Sequence, residues 1–212
     1  MLEIKLQAEI EDAYRRSRNS WGWRLLASPE NTLSGAQVAF IGLNPGGTVV
    51  HSEHSIYAMP SGHSAYVDES WAGHIAGQSP LQRQVRALFS RLDVAPHAVL
   101  AGNLVPFRSP DWKSLQDPKG SLAFGKDLWS RILSRAKPPI VITMGGDTTK
   151  AIVELLGVSD LARYPVGWGN VTAQRGAFDG GTLIGLPHLS RFGIMTRTKS
   201  ADFLDKLFEG IR

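Results

Sequence analysis

The run Val38-Ala39-Phe40-Ile41-Gly42-Leu43-Asn44-Pro45-Gly46-Gly47 constrains this chain more than any other. It is apolar, with β-branched and aromatic residues, and stops abruptly in a polar, glycine-rich turn, the pattern of a central strand covered on both faces. In open parallel sheets, ligands collect at the carboxyl ends of such strands, where loops leave the sheet. Asn44 stands at that point. Pro45 fixes its own φ and biases Asn44 towards an extended conformation, while Gly46 and Gly47 permit backbone angles that other residues resist. Taken alone, the stretch also reads as an ordinary Asn-Pro-Gly turn.

Other segments build a sheet around this strand. Residues 98–103, 139–144 and 182–186 are further apolar strands, and residues 171–178 read as an edge strand. Helical spacing appears over residues 1–18 (Leu2, Leu6, Ile10, Ala13) and over the segment opened by Ser79-Pro80, a good cap and first-turn pair, with Leu81, Val85, Leu88, Phe89 and Leu92 as the buried stripe. Residues 122–135, the segment ending at Gly157 and residues 200–208 complete the helices. Strands alternating with helices predict a single α/β domain over residues 1–212, a three-layer α/β/α sandwich with a central, mostly parallel four-stranded sheet. The turn Gly145-Gly146-Asp147-Thr148-Thr149-Lys150 is not a phosphate-binding P-loop, because Lys150 does not complete that motif.

Composition narrows the chemistry. The chain has 212 residues and no cysteine, which excludes disulfides and removes the usual ligands of an iron-sulfur cluster. The formal net charge is +4 and the sequence pI is about 9.5, a mild basicity compatible with a phosphate-tracking surface. His51, His54, His63 and His74 fall in one polar stretch, but no carboxylate or thiolate accompanies them at a recognisable ligand spacing, so no metal is expected. No signal-peptide core opens the sequence and no apolar run is long enough to cross a bilayer, so a cytoplasmic monomer without membrane contact is expected.

Two further motifs join the first. His188-Leu189-Ser190-Arg191-Phe192 follows the last strand, and Leu100-Ala101-Gly102-Asn103 ends another strand in an asparagine. Together with Gly42-Leu43-Asn44-Pro45-Gly46, these resemble, in order, the signature segments of the uracil-DNA glycosylase superfamily. The first motif is most similar to the mismatch-specific uracil/thymine branch, and the second is more like the His-Pro-Ser-Pro-Leu loop of the uracil branch, with Leu189 and Arg191 in place of its two prolines.

The resemblance implies a monofunctional glycosylase that hydrolyses the N-glycosidic bond of uracil or a related damaged base flipped out of DNA, with no cofactor. It implies catalytic roles for Asn44, which would position water, and His188, which would donate to the base oxygen as negative charge develops. Gly42, Leu43, Pro45, Gly46, Tyr66 and Asn103 would form the base pocket, with Tyr66 stacking on the base (Tyr57 as runner-up) and Asn103 facing its Watson–Crick edge. Ser190, Arg191, Phe192 and Arg108 would meet DNA, Phe192 as the wedge filling the hole left by the flipped nucleotide. Two other readings remain: a non-catalytic DNA-binding homologue of the same fold, or an unrelated α/β hydrolase or nucleotide-binding protein.

Overall fold

The computed structural model describes residues 2–47 and 55–211; His51 and His54 lie outside them. The chain order is α1 (Leu2–Ser17), β1 (Val38–Gly42), α2 (Ala65–Asp68), α3 (Pro80–Arg91), β2 (Leu100–Asn103), α4 (Pro118–Ala136) and β3 (Ile140–Met144). Then follow α5 (Gly146–Leu156), β4 (Ala162–Trp168), β5 (Val171–Phe178), β6 (Gly181–Leu186) and α6 (Ala201–Leu207).

Among the described residues, all strands lie in one six-stranded sheet ordered β2-β1-β3-β6-β5-β4. The expected four-stranded, mostly parallel sheet is corrected in number and in part in direction. β2–β1, β1–β3 and β3–β6 pair parallel, whereas β6–β5 and β5–β4 pair antiparallel. Residues 171–178 form a strand but not an edge one, because β4 pairs outside it. β4 shows no alternation in burial, contains Pro165, and breaks register between Pro165 and Trp168. Such a strand carries no period-two signal to read.

Burial on both sides of β1 explains its composition. Ala39 and Ile41 join a core built with α1, α4 and α5, while Val38 and Phe40 join a second core with α2, α3 and α6. The sheet is therefore the middle of three layers, with all five residues of β1 buried. Because β2, β1, β3 and β6 run parallel, Asn103, Gly42, Met144 and Leu186 finish at the same edge. β4 is antiparallel to β5, and β5 to β6, so Trp168 at the end of β4 reaches that edge as well.

α3 begins at this carboxyl edge with a capping box. Ser79 Oγ accepts from the Gln82 backbone N–H at 3.3 Å, and the Ser79 N–H donates to Gln82 Oε1 at 3.1 Å. Gln82 is fully buried and also donates through Nε2 to the carbonyls of Ala65 (2.9 Å) and Glu69 (2.7 Å). Ser79→Ala should therefore lower stability by about 1 kcal/mol, and Gln82→Leu by about 2 kcal/mol or more, since besides the cap it takes a donor from the Ala65 carbonyl and leaves the Glu69 carbonyl with the Gly77 N–H. Urea unfolding midpoints measure both; equal losses would mean that the Ala65 and Glu69 bonds contribute nothing.

Candidate active site

The loop leaving β1 is held by the loop leaving β2. Leu104 and Val105 N–H groups donate to the carbonyls of Gly42 and Leu43, both at 2.8 Å, and the Ser109 N–H donates to the Pro45 carbonyl at 3.2 Å. Asn44 Nδ2 donates to Ser109 Oγ at 2.8 Å and, at 3.4 Å each, to the carbonyls of Phe107 and Pro45. Ser109 is buried and gives its own hydroxyl proton to the Asp111 carbonyl at 2.7 Å, so towards Asn44 it only accepts. The NH₂ end of the Asn44 amide must face Ser109, which makes Oδ1 the end that accepts a hydrogen bond from elsewhere.

Arg108 lies beneath the same loop. Its Nε donates to the Gly46 carbonyl at 3.2 Å and its Nη1 to the Trp21 carbonyl at 3.3 Å. A Cβ on residue 47 would land on Arg108 Nη2, so only glycine leaves room for this guanidinium. Gly46 differs. It is exposed, its φ lies outside the left-handed region, and a Cβ there would meet nothing within 4 Å. The backbone does not require glycine at position 46.

Asn103 stands beside β1 in register with Gly42. Its Oδ1 passes 2.9 Å from where a Gly42 Cβ would sit, so the missing side chain at 42 is what lets the Asn103 amide lie across the strand end. The Asn103 backbone is set by its carbonyl, which accepts from Trp129 Nε1 at 2.8 Å, and by its N–H, which donates to the Leu25 carbonyl at 3.3 Å. Leu43 and Pro45 are half-buried between these groups and the core.

His188 follows β6 in a tight turn, its carbonyl accepting from the N–H groups of Arg191 (2.9 Å) and Phe192 (3.0 Å). Its ring carbon Cδ2 lies 3.9 Å from the Cβ position of residue 145, so the imidazole sits over the end of β3. Nδ1 and Ser190 Oγ are 2.8 Å apart. Burial first, and the Arg191 guanidinium second, hold the imidazole below its ordinary range, which favours the neutral ring. A Ser190 hydroxyl that donates to Nδ1 puts the ring proton on Nε2.

Asn44, Asn103 and His188 thus share one edge, as the motifs predict. Three other expectations change. Tyr66 is not an open stacking platform but a core ring, 6% exposed, edge-on to Phe40 (5.7 Å), Trp71 (5.3 Å) and Phe89 (5.9 Å), with its hydroxyl pushed well above the usual phenol range mainly by burial. Arg108 spends donors on loop carbonyls rather than reaching outward. Phe192 is half-buried with its ring 6.0 Å from and edge-on to Trp168, whose face carries Arg197 at 4.6 Å; the exposed residues of its turn are Ser190 and Arg191. Tyr57 packs partly buried against the core. Ser109 is the partner of Asn44 that motif reading misses, since a serine in a proline-rich loop carries no signal until its partners are known. Among the described residues, no cluster of histidine and carboxylate side chains could hold a metal ion, and no helix is long and apolar enough to cross a membrane.

The four parallel strands of this mixed sheet bring two asparagines and a histidine to their carboxyl edge, the place where ligands collect in open α/β sheets. The family model described as the Uracil DNA glycosylase superfamily matches residues 30–212, and the chain belongs to that superfamily. No curated protein gives a significant match.

The state of His188 is measurable without any substrate. Its imidazole should titrate by NMR below the ordinary midpoint of about 6.5, so the neutral form persists as pH falls through that value. Arg191→Ala should move the midpoint upward by removing repulsion, while burial keeps it below the ordinary value. A midpoint at or above the ordinary value in the parent would contradict the neutral-ring geometry.

Proposed function

We propose that the protein is a monofunctional DNA glycosylase that hydrolyses the N-glycosidic bond of uracil or a related damaged base, acting as a monomer on a nucleotide flipped out of DNA. Superfamily membership supports the class of activity and DNA as the partner. The observation that carries the reading is the orientation of Asn44: its NH₂ is committed to Ser109, Phe107 and Pro45, which leaves its carbonyl oxygen as the acceptor for a water.

The chemistry follows from that arrangement. As the C–N bond stretches, the sugar gains oxocarbenium character and the electron pair moves onto the base. His188 Nε2–H donates to the base oxygen where this charge collects, a neutral donor stabilising an anion without first giving up its proton. Asn103 meets the Watson–Crick edge, its amide both donating and accepting. Water oriented by Asn44 Oδ1 attacks the sugar's anomeric carbon, and its proton is lost to solvent or to the departing base. An amide orients this water but cannot take its proton as a carboxylate does, so turnover is slow by the standard of an aspartate at that position. Slow or not, the reaction consumes only water.

Single-turnover base release tests these roles. Asn44→Ala and His188→Ala should each slow release by about tenfold or more with DNA affinity within a few-fold, since each acts mainly in the transition state. Ser109→Ala, which touches no substrate, should reproduce part of the Asn44 loss by freeing that amide to rotate. Parental rates in both Asn44→Ala and His188→Ala would remove the site assignment.

Gly46 supports a permissive pocket. In the uracil branch a tyrosine two positions after the water-positioning residue covers the C5 face of the base, and here that place holds a glycine that the backbone does not need. The pocket should therefore admit uracils with a C5 substituent. Gly46→Tyr should abolish release of 5-hydroxymethyluracil and thymine from mispaired duplexes while sparing uracil. A parent acting on uracil alone, with a variant of the same profile, would show that another residue closes the C5 face.

A further inference from the structure

Ile75 is 80% exposed, far more than Phe203 at 39%, the other exposed large apolar residue among the described residues. Single apolar residues on a surface are ordinary. This one differs in how its loop is held. Between α2 and α3 the chain makes two hydrogen-bonded turns, the His74 N–H donating to the Trp71 carbonyl and the Gln78 N–H to the Ile75 carbonyl, both at 3.0 Å. The base of the loop is closed by the Gly77 N–H on the Glu69 carbonyl (3.1 Å) and by Arg86 Nη1 on the Gly77 carbonyl (3.1 Å). Gly77 has φ 71°, and a Cβ there would lie 2.8 Å from the Val67 carbonyl oxygen, so the closure demands glycine. The Glu69 carboxylate pairs with Arg24 and accepts from Trp71 Nε1 at 2.8 Å. A well-braced loop presents a bare, β-branched side chain to water, and such a side chain is stiff about χ1.

The loop stands at the edge of the sheet that carries the site. The chain leaves β1 at its carboxyl end and must enter β2, its parallel neighbour, at the amino end, so α3 runs back from the carboxyl edge and the residues just before it lie there. The second turn of α3 confirms the placement: Gln84 Oε1 accepts from the Met195 N–H at 2.8 Å and its Nε2 donates to Thr196 Oγ1 at 2.6 Å, just beyond the His188 turn. Residues 70–78 contain no acidic side chain, and exposed Arg83 and Arg86 follow on α3. Such a surface approaches phosphates without repulsion. Phe192, where a wedge is expected from the motif, is instead packed on Trp168.

We propose that Ile75 is the side chain that enters the base stack of duplex DNA and occupies the space vacated by the flipped nucleotide. The inference rests on the glycosylase reading for its biological purpose but not for its test. Insertion of an apolar wedge trades unstacking for burial of hydrocarbon, and a preformed loop loses little freedom in doing so.

The experiment uses a duplex with 2-aminopurine beside a tetrahydrofuran abasic analogue, whose fluorescence rises on unstacking, together with base release from uracil in paired duplex, mispaired duplex and single strand. Ile75→Ser should abolish the fluorescence rise and slow release from the paired lesion on the order of tenfold, with single-stranded substrate unaffected. Ile75→Leu should restore both, Phe192→Ala should keep the rise, and all variants should melt with the parent. A rise that survives in Ile75→Ser, or no rise with the parent, overturns the proposal. If Ile75-dependent unstacking is seen but no lesion releases its base, the wedge stands and the glycosylase reading falls. If base is released equally from all three substrates by parent and Ile75→Ser, the reverse holds, including the case in which Ile75 serves a protein partner.

Discussion

The structure depends on one loop holding another. The segment after β2 supplies Ser109 to the Asn44 amide and the Arg108 guanidinium to the Gly46 carbonyl, while its backbone pairs with Gly42, Leu43 and Pro45. Without these partners the turn after β1 would be a short, glycine-rich connection free to sample many conformations. With them, one atom, Asn44 Oδ1, is singled out as the acceptor. Chemistry at a strand end needs that kind of prior commitment, because a group that must first be oriented spends binding energy that could otherwise stabilise the transition state.

The sheet makes the rest of the site follow. Parallel pairing of β2, β1, β3 and β6 brings Asn103, Asn44 and His188 to one edge without any long-range contact between their side chains. Glycine at 42 makes way for the Asn103 amide, and glycine at 47 for Arg108. The electrostatics are consistent with a phosphodiester partner. Burial first, and exposed Arg191 second, lower the proton affinity of the His188 imidazole, so the cation that favours a phosphate also adds to what keeps the histidine neutral. Arg24, half-buried, is balanced by Glu69 and braces the loop before α3.

Much of this was legible in the sequence, and the failures have physical causes. β1, β2, β3 and β6 announce themselves as apolar runs because both of their faces are covered, and the capping box of α3 is a local pattern that needs no tertiary knowledge. β4 escapes because an edge strand with a proline, a register break and a single buried residue has neither continuous nor alternating hydrophobicity. Tyr66 and Phe192 pack differently from the motif expectation for a shared reason: a motif places an aromatic residue along the chain but not which way its ring turns, and both rings turn towards other aromatic side chains. Arg108 and Ser109 are opaque because their partners are backbone carbonyls and an amide sixty-odd positions earlier, which no side-chain pattern encodes. Superfamily membership, by contrast, rests on the order of three short motifs and is carried by a match over residues 30–212.

The central claim is that this edge of the sheet hydrolyses a base from DNA using water alone. The most direct measurement incubates the unaltered protein, in the presence of a chelator, with end-labelled duplexes that each carry one uracil or 5-substituted uracil, and then treats them with hot alkali. The account predicts strand cleavage at the lesion only after alkali, the mark of an abasic site left by hydrolysis. Intact strands with every lesion would contradict it, as would cleavage that appears without alkali.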